Sequence, residues 1–273
     1  MSPYLLQNMQ VNQLYGFVLA ILMGFTLGLF GGGGSILAVP IFVYVFHIEP
    51  LLATAYSLWV VGLSALVGSL KKHLDQQIEY KVGLFFVVPS ALTVFLTRRF
   101  LVPQIPLQLL ALGDVTLTKN MAIMLFFGVV MILAAYSMIR GITMHHSGNK
   151  PDKMKTIISG AGVGIITSLV GAGGGFLIVP ALVILLGLSI SQAIGTSLAI
   201  IALNSMSGFM GDIIGGRLMD WSFLLTFSVF ALIGMMLGLY SSKKIEVDKL
   251  KKYFGFFVLA MAILILTKEV LSY

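Results

Sequence analysis

The chain has 273 residues, of which 58% are hydrophobic and only 10% charged, with a mean hydropathy of +1.03. A soluble domain carries about 25% charged residues, so this chain cannot cover a water-facing surface; it has several runs of about 20 apolar residues, each long enough to cross a bilayer core of ~30 Å. The net charge of +7 lies in short loops between those runs, as membrane topology signals do, so no nucleic-acid partner is expected, and the absence of cysteine excludes disulfides, thiolate metal sites and cysteine catalysis.

The N-terminal stretch MSPYLLQNMQVNQLYG has no Lys or Arg ahead of its apolar run. A cleaved signal peptide begins with a basic region, so the first segment is expected to be retained. Apolar segments follow at about 14–30, 35–46, 51–70, 81–97 and 120–140. Between the fourth and fifth lies LVPQIPLQLLALGDV (101–115), with two prolines and little charge; it reads as an interfacial element. After the polar stretch MHHSGNKPDKMK (144–155), five more apolar segments follow at about 156–170, 175–187, 190–210, 221–240 and 253–271.

The two series match without gaps at an offset of 140 residues. GFTLGLFGGGGSILAVP (24–40) lies over GIITSLVGAGGGFLIVP (164–180). The identities include Gly24/Gly164, Gly31/Gly171, Gly33/Gly173, Gly34/Gly174, Pro40/Pro180, Ser57/Ser197 and Gly68/Gly208. Shared Gly and Pro carry weight because both have positional backbone roles. The predicted architecture is an all-α polytopic membrane protein of two homologous repeats, each a Gly-broken helical hairpin plus three transmembrane helices. The repeats occupy 1–143 and 156–273, with a cytoplasmic linker over 144–155.

Basic residues favour inverted repeats. If each Gly-rich break turns the chain back, one side receives Lys71, Lys72, Lys81, Arg140, Lys150, Lys153, Lys155, Lys243, Lys244, Lys249, Lys251 and Lys252, and the other only Arg98, Arg99, Lys119, Arg217 and Lys268. The positive-inside rule then makes the first set cytoplasmic. Parallel repeats would divide the charges almost evenly.

Four consecutive glycines cost a helix roughly 1 kcal/mol each relative to Ala. In lipid, unwound backbone survives only where protein buries it or where it lines a wet cavity. Paired interruptions at matching positions of two repeats point to a transporter's central site. Each break frees N–H groups at the start of the next half-helix, and these donors with the local dipole favour an anion. The candidate substrate-binding residues are Gly31, Gly32, Gly33, Gly34, Ser35, Ser57, Gly171, Gly173, Gly174, Gly175, Thr196, Ser197 and Asn204. Close helix packing is the competing reading of the glycines, and interhelical hydrogen bonding that of the hydroxyls. No Gly-Lys-Ser/Thr follows either cluster, so neither is a P-loop.

No ionisable residue falls in the middle of a predicted span. His47, Glu49, His73, Asp75, Glu79, Asp212, Arg217 and Asp220 sit at span ends and read as interfacial charges. His145 and His146 lack a partner at metal-ligand spacing. Neither a metal, a cofactor nor a nucleophile–base pair for catalysis is expected.

The Gly-rich breaks ending in Val-Pro, the Thr/Ser-Ser-Leu helix after each, and the duplication resemble the TauE/SafE family of sulfite exporters. GLFGGGGSILAVP and SLVGAGGGFLIVP are the cores of the resemblance, and GTSLAIIALNSMSGFMGDIIGGRLMDW (195–221) its strongest later stretch. The first copy departs from it, with AYSL for GTSL and KKHLDQQIEY for GDIIGGRLMDW. The resemblance implies an inner-membrane secondary transporter for sulfite, sulfoacetate, thiosulfate or a related organosulfur anion. An anion channel and a non-transporting assembly partner are the rival classes, and the residues leave open the direction, a proton or other coupling ion, and the oligomeric state.

Overall fold

The computed structural model describes residues 3–112, 115–140, 153–171, 173–184, 186–242 and 247–271. His145 and His146, with most of the linker, lie outside them. Among the described residues, eight helices are long and apolar enough to cross a membrane. Helix α1 (Pro3–Phe30) leads into a 3-10 helix (Gly31–Leu37), a short α2 (Ala38–Pro40) and a π turn (Ile41–Val45). Then come α3 (Pro50–Leu74), α4 (Tyr80–Leu96), a second π turn (Thr97–Leu101) and α5 (Val102–Gln104). A hairpin of β1 (Gln108–Leu112) and β2 (Val115–Thr118) precedes α6 (Lys119–Arg140). The second half runs α7 (Lys153–Val170), α8 (Gly175–Ile184), α9 (Ile190–Ile214), α10 (Trp221–Ser241) and α11 (Val247–Leu271). The element expected over 101–115 thus becomes a helix end and a β-hairpin, in which the strands' backbone groups pair with each other.

The glycine breaks turn the chain back. Gly31 has φ +71, a left-handed conformation that a side chain rarely tolerates. Three residues on, a methyl built on Gly34 would lie 2.1 Å from the Leu27 nitrogen, whereas residues seven apart in a straight helix are about 10 Å apart along its axis. The return is complete by Phe46, whose ring lies 5.9 Å from that of Phe17 and 4.8 Å from that of Phe223. The second copy repeats the manoeuvre, with φ +75 at Gly171 and Gly174 packed on Thr167.

Helices pair across the repeats. In α1 and α10 the backbones touch at Gly24/Ala231, Ile21/Gly234 and Phe25/Gly238, so the pair runs parallel. In the corresponding pair, α4 and α7, Gly160 meets Phe86 and Gly164 meets Ser90. Helices α3 and α9 occupy equivalent positions yet run antiparallel, with Gly62 on Ser205, Gly68 on Leu198 and Gly208 on Leu58. Small residues let helices approach closely where apolar lipid provides no hydrophobic drive for association.

This packing yields a direct expectation. A methyl built on Gly24 or Gly234 would stand 1.9 or 2.0 Å from a carbonyl oxygen of the partner helix, whereas one on Gly162 meets nothing within 4 Å. Gly24→Leu and Gly234→Leu should each destabilise the detergent-solubilised protein by about 1–3 kcal/mol or more, and Gly162→Leu should leave its melting temperature unchanged.

Candidate functional site

The two glycine breaks meet. A methyl on Gly32 would lie 2.0 Å from the Gly175 backbone, and one on Gly175 would lie 2.2 Å from the Gly32 Cα. Nothing larger than hydrogen fits between them. The junction is at mid-height of the bundle. Gly175 rests on Ile201, and Gly173 on Val61, Ile201 and Ser205; Val61 and Ile201 are near the middles of the 25-residue helices α3 and α9. Both breaks therefore start a new helix at one point, and the first N–H groups of each have no acceptor within their own helix. Two positive dipole ends converge there.

Each break also leans on the long helix of the other copy. Gly31 sits on Ile194 and the Ser197 hydroxyl, and Gly171 on Thr54; Thr54 and Ile194 are themselves 140 residues apart. The hydroxyls around the junction divide into two groups. Those of Ser205 and Thr167, and of Ser57 and Ser64 on α3, are buried without a hydrogen-bond partner among the described residues. Ser205 faces Gly173 and Thr167 faces Gly174. Others are committed to backbone, with Ser35 Oγ donating to the Gly32 carbonyl at 2.7 Å and Ser197 Oγ to the Ile194 carbonyl at 2.8 Å.

Two predicted residues face elsewhere. Thr196 Oγ1 accepts the Glu79 N–H at 2.9 Å, holding the loop ahead of α4. Tyr56 does the same in the other half, its hydroxyl accepting the Asp220 N–H at 2.8 Å. Asn204 Nδ2 donates to Ser90 Oγ on α4 at 2.7 Å, while its Oδ1 has no partner. The structure therefore gathers both glycine clusters with Ser35 and Ser197, buries Ser57 on α3, places Thr196 on a loop clasp and binds Asn204 to α4.

Sequence reasoning missed Ser205, Thr167 and a charged cluster. Arg98 is 1% exposed and Asp212 2%, whereas the sequence alone reads Asp212 as an interfacial charge and Arg98 as a topology charge on one side. Arg98 Nη1 lies 3.4 Å from Asp212 Oδ2, and Arg217 Nε lies 3.5 Å from Asp212 Oδ1. The π turn after α4 continues the helix past residue 97 and carries Arg98 inward; such turns often mark functional sites. Among the described residues, no three His, Cys, Asp or Glu side chains group as a metal site.

Between the returning segments, a cavity of about 10 Å³ is lined by Phe30, Gly33, Met138, Phe176 and Pro180 among others. That is room for about one water, so the junction is shut in this conformation.

A bundle of apolar spanning helices with two buried half-helix starts at its centre is the architecture of a multi-pass membrane transporter. The family described as Sulfite exporter TauE/SafE matches residues 16–265, and the chain belongs to it. Similar proteins include a probable membrane transporter protein of Xylella fastidiosa (strain Temecula1), 30% identical over 91% of this chain and 92% of the relative. One from Haemophilus influenzae is 29% identical over 89% and 93%. The probable membrane transporter protein YdhB of Bacillus subtilis is 27% identical over 82% and 86%. No solved structure matches the chain.

The orphaned hydroxyls allow a test. A buried unsatisfied polar group costs about 1–3 kcal/mol, so Ser57→Ala and Ser205→Ala should hold or raise the melting temperature. If either substitution lowered it by more than about 2–4 °C, roughly 1 kcal/mol at this size, these hydroxyls would be structural anchors.

Proposed function

We propose that the protein is an inner-membrane secondary transporter for a small sulfur-containing oxyanion such as sulfite, sulfoacetate, a related organosulfonate or thiosulfate. The observation that carries the reading is the buried meeting of Gly32 and Gly175, because a helix start leaves its first N–H groups without an acceptor in the helix. A membrane-buried junction of positive dipole ends, ringed by unspent hydroxyls, suits a guest with negative charge and several acceptor oxygens. Ser57, Ser205 and Thr167 supply side-chain donors, and Ser35 and Ser197 fix the backbone beside them. The family's description supports the sulfur oxyanion class.

The antiparallel course of α3 and α9 and the two fold-backs support inverted repeats. Parallel repeats would send equivalent helices the same way. The bundle end holding Lys71, Lys72, Lys81 and Arg140 faces the cytoplasm on this reading. Alternating access then consists of the returning segments 31–45 and 175–184 separating from one flanking helix pair at a time. The closed Gly32–Gly175 contact favours this over an anion channel, which needs an open path.

Anion flux in proteoliposomes tests the proposal. Wild-type protein should accumulate labelled sulfite or sulfoacetate with saturable kinetics. Gly33→Leu combined with Gly173→Leu should abolish uptake, and Ser57→Ala should weaken it at least ~5-fold, the scale of one lost hydrogen bond. Undiminished flux in both variants would remove the junction as the site.

A further inference from the structure

We propose that Arg98 is the charged ligand of an oxyanion-binding station beside the second glycine break, on one side of the membrane only, with Asp212 as its exchangeable counter-ion. This rests on the oxyanion transporter reading above and adds the residue that recognises the charge.

The geometry begins at Thr54. Its Cα and Cβ pack against Gly171, and its Oγ1 accepts a hydrogen bond from Arg98 Nη1 at 3.0 Å. The guanidinium is thus one side chain away from the break. Arg98 Nε and Nη2 are buried without any hydrogen-bond partner among the described residues. A planar guanidinium with free, neighbouring N–H groups matches two oxygens of a sulfonate or sulfite. Leaving such donors unpaired in a dry interior is costly, which is expected only if something else uses them.

The present partner is a poor one. Asp212 approaches Arg98 at 3.4 Å and Arg217 at 3.5 Å, and neither of its oxygens makes a hydrogen bond among the described residues. Two arginines share one carboxylate, so the cluster carries a net positive charge that an incoming anion would neutralise. Arg217 also donates from Nη1 to the Leu51 carbonyl at 3.0 Å, which pins it, whereas Arg98 has two nitrogens to spare.

The opposite end of the bundle shows that this charge is not required by the fold. At the positions 140 residues earlier, Lys72 donates to Gln77 at 2.8 Å, where the second copy pairs Asp212 with Arg217. The position equivalent to Arg98 is Gly238. The turn after the long helix is clasped in both copies, but only one copy adds a buried arginine. The end of the bundle that holds Arg98 also carries a polar recess of about 460 Å³ lined by Pro50, Gln108, Lys119, Asn120 and Glu269 among others.

The test is uptake of labelled sulfite and sulfoacetate by proteoliposomes holding wild-type protein, Arg98→Gln, Arg98→Lys, Asp212→Asn or the double variant Arg98→Gln with Asp212→Asn. Arg98→Gln should raise KM at least ~10-fold, the scale of a charge-assisted hydrogen bond, and Arg98→Lys should fall between it and wild type. Asp212→Asn should lower KM, because the substrate no longer competes with a carboxylate. The double variant, which removes the Arg98 charge and the Asp212 charge together and leaves Arg217 on the Leu51 carbonyl, should keep the high KM of Arg98→Gln. A wild-type KM in both Arg98→Gln and the double variant, or an unchanged or raised KM in Asp212→Asn, would overturn the station and leave the glycine junction standing. Wild-type vesicles that move neither anion would overturn the oxyanion reading itself, and the station with it.

Discussion

The rest of the structure depends on a contact between two stretches of main chain, Gly32 against Gly175. Hydrocarbon offers backbone groups no partner, so an interrupted helix is tolerated only inside a protein jacket. The long helices α3 and α9 provide that jacket, with Thr54 under one break and Ile194 under the other. The crossing pairs α1/α10 and α4/α7 then close the sides through glycine-to-carbonyl contacts. What remains unspent beside the breaks, among the described residues, is a set of buried hydroxyls that includes Ser205 and Thr167, and the proposed substrate would use them.

The two copies share an order of long helices and a glycine break and differ in chemistry. Tyr56 and Thr196 perform one task in two copies, each hydroxyl receiving an N–H from the loop that begins α10 or α4. Such paired clasps leave the loops fixed at both ends of the bundle. Charge breaks the likeness, since Asp212 and Arg217 replace Lys72 and Gln77, and Arg98 stands where the other copy has Gly238. A transporter whose two faces meet different anion concentrations gains from a charged station on one face, because a positive cluster raises the local concentration of its substrate.

Much of this could be read in the residues beforehand. Run length and apolarity marked every spanning helix, because the bilayer imposes one length scale. The four glycines before Ser35, matched by those before Phe176, marked both interruptions, and the Val-Pro after each marked the return. Side-chain partners were less legible. Asn204 lies seven residues after Ser197, near the same helix face, and Thr196 adjoins Ser197 in sequence, yet Ser90 and the loop before α4 claim them through contacts more than 100 residues away in sequence. Arg98 was hidden for a different reason. The apolar run ends at residue 97, and only the π turn carries the helix onward and rotates the next side chain into the bundle. Two signals pointed there, an arginine directly after a long apolar run and an aspartate in the last turn of α9, but neither decides burial without the packing.

Anomalous diffraction from crystals soaked in selenite, a sulfite analogue whose heavy atom can be located directly, tests the central claim most directly. The account predicts a selenium peak at the glycine junction, within hydrogen-bond reach of the Gly32 or Gly175 amides and the Ser57 or Ser205 hydroxyl. Selenium found only at exposed lysines, with the junction still closed at saturating selenite, would contradict it.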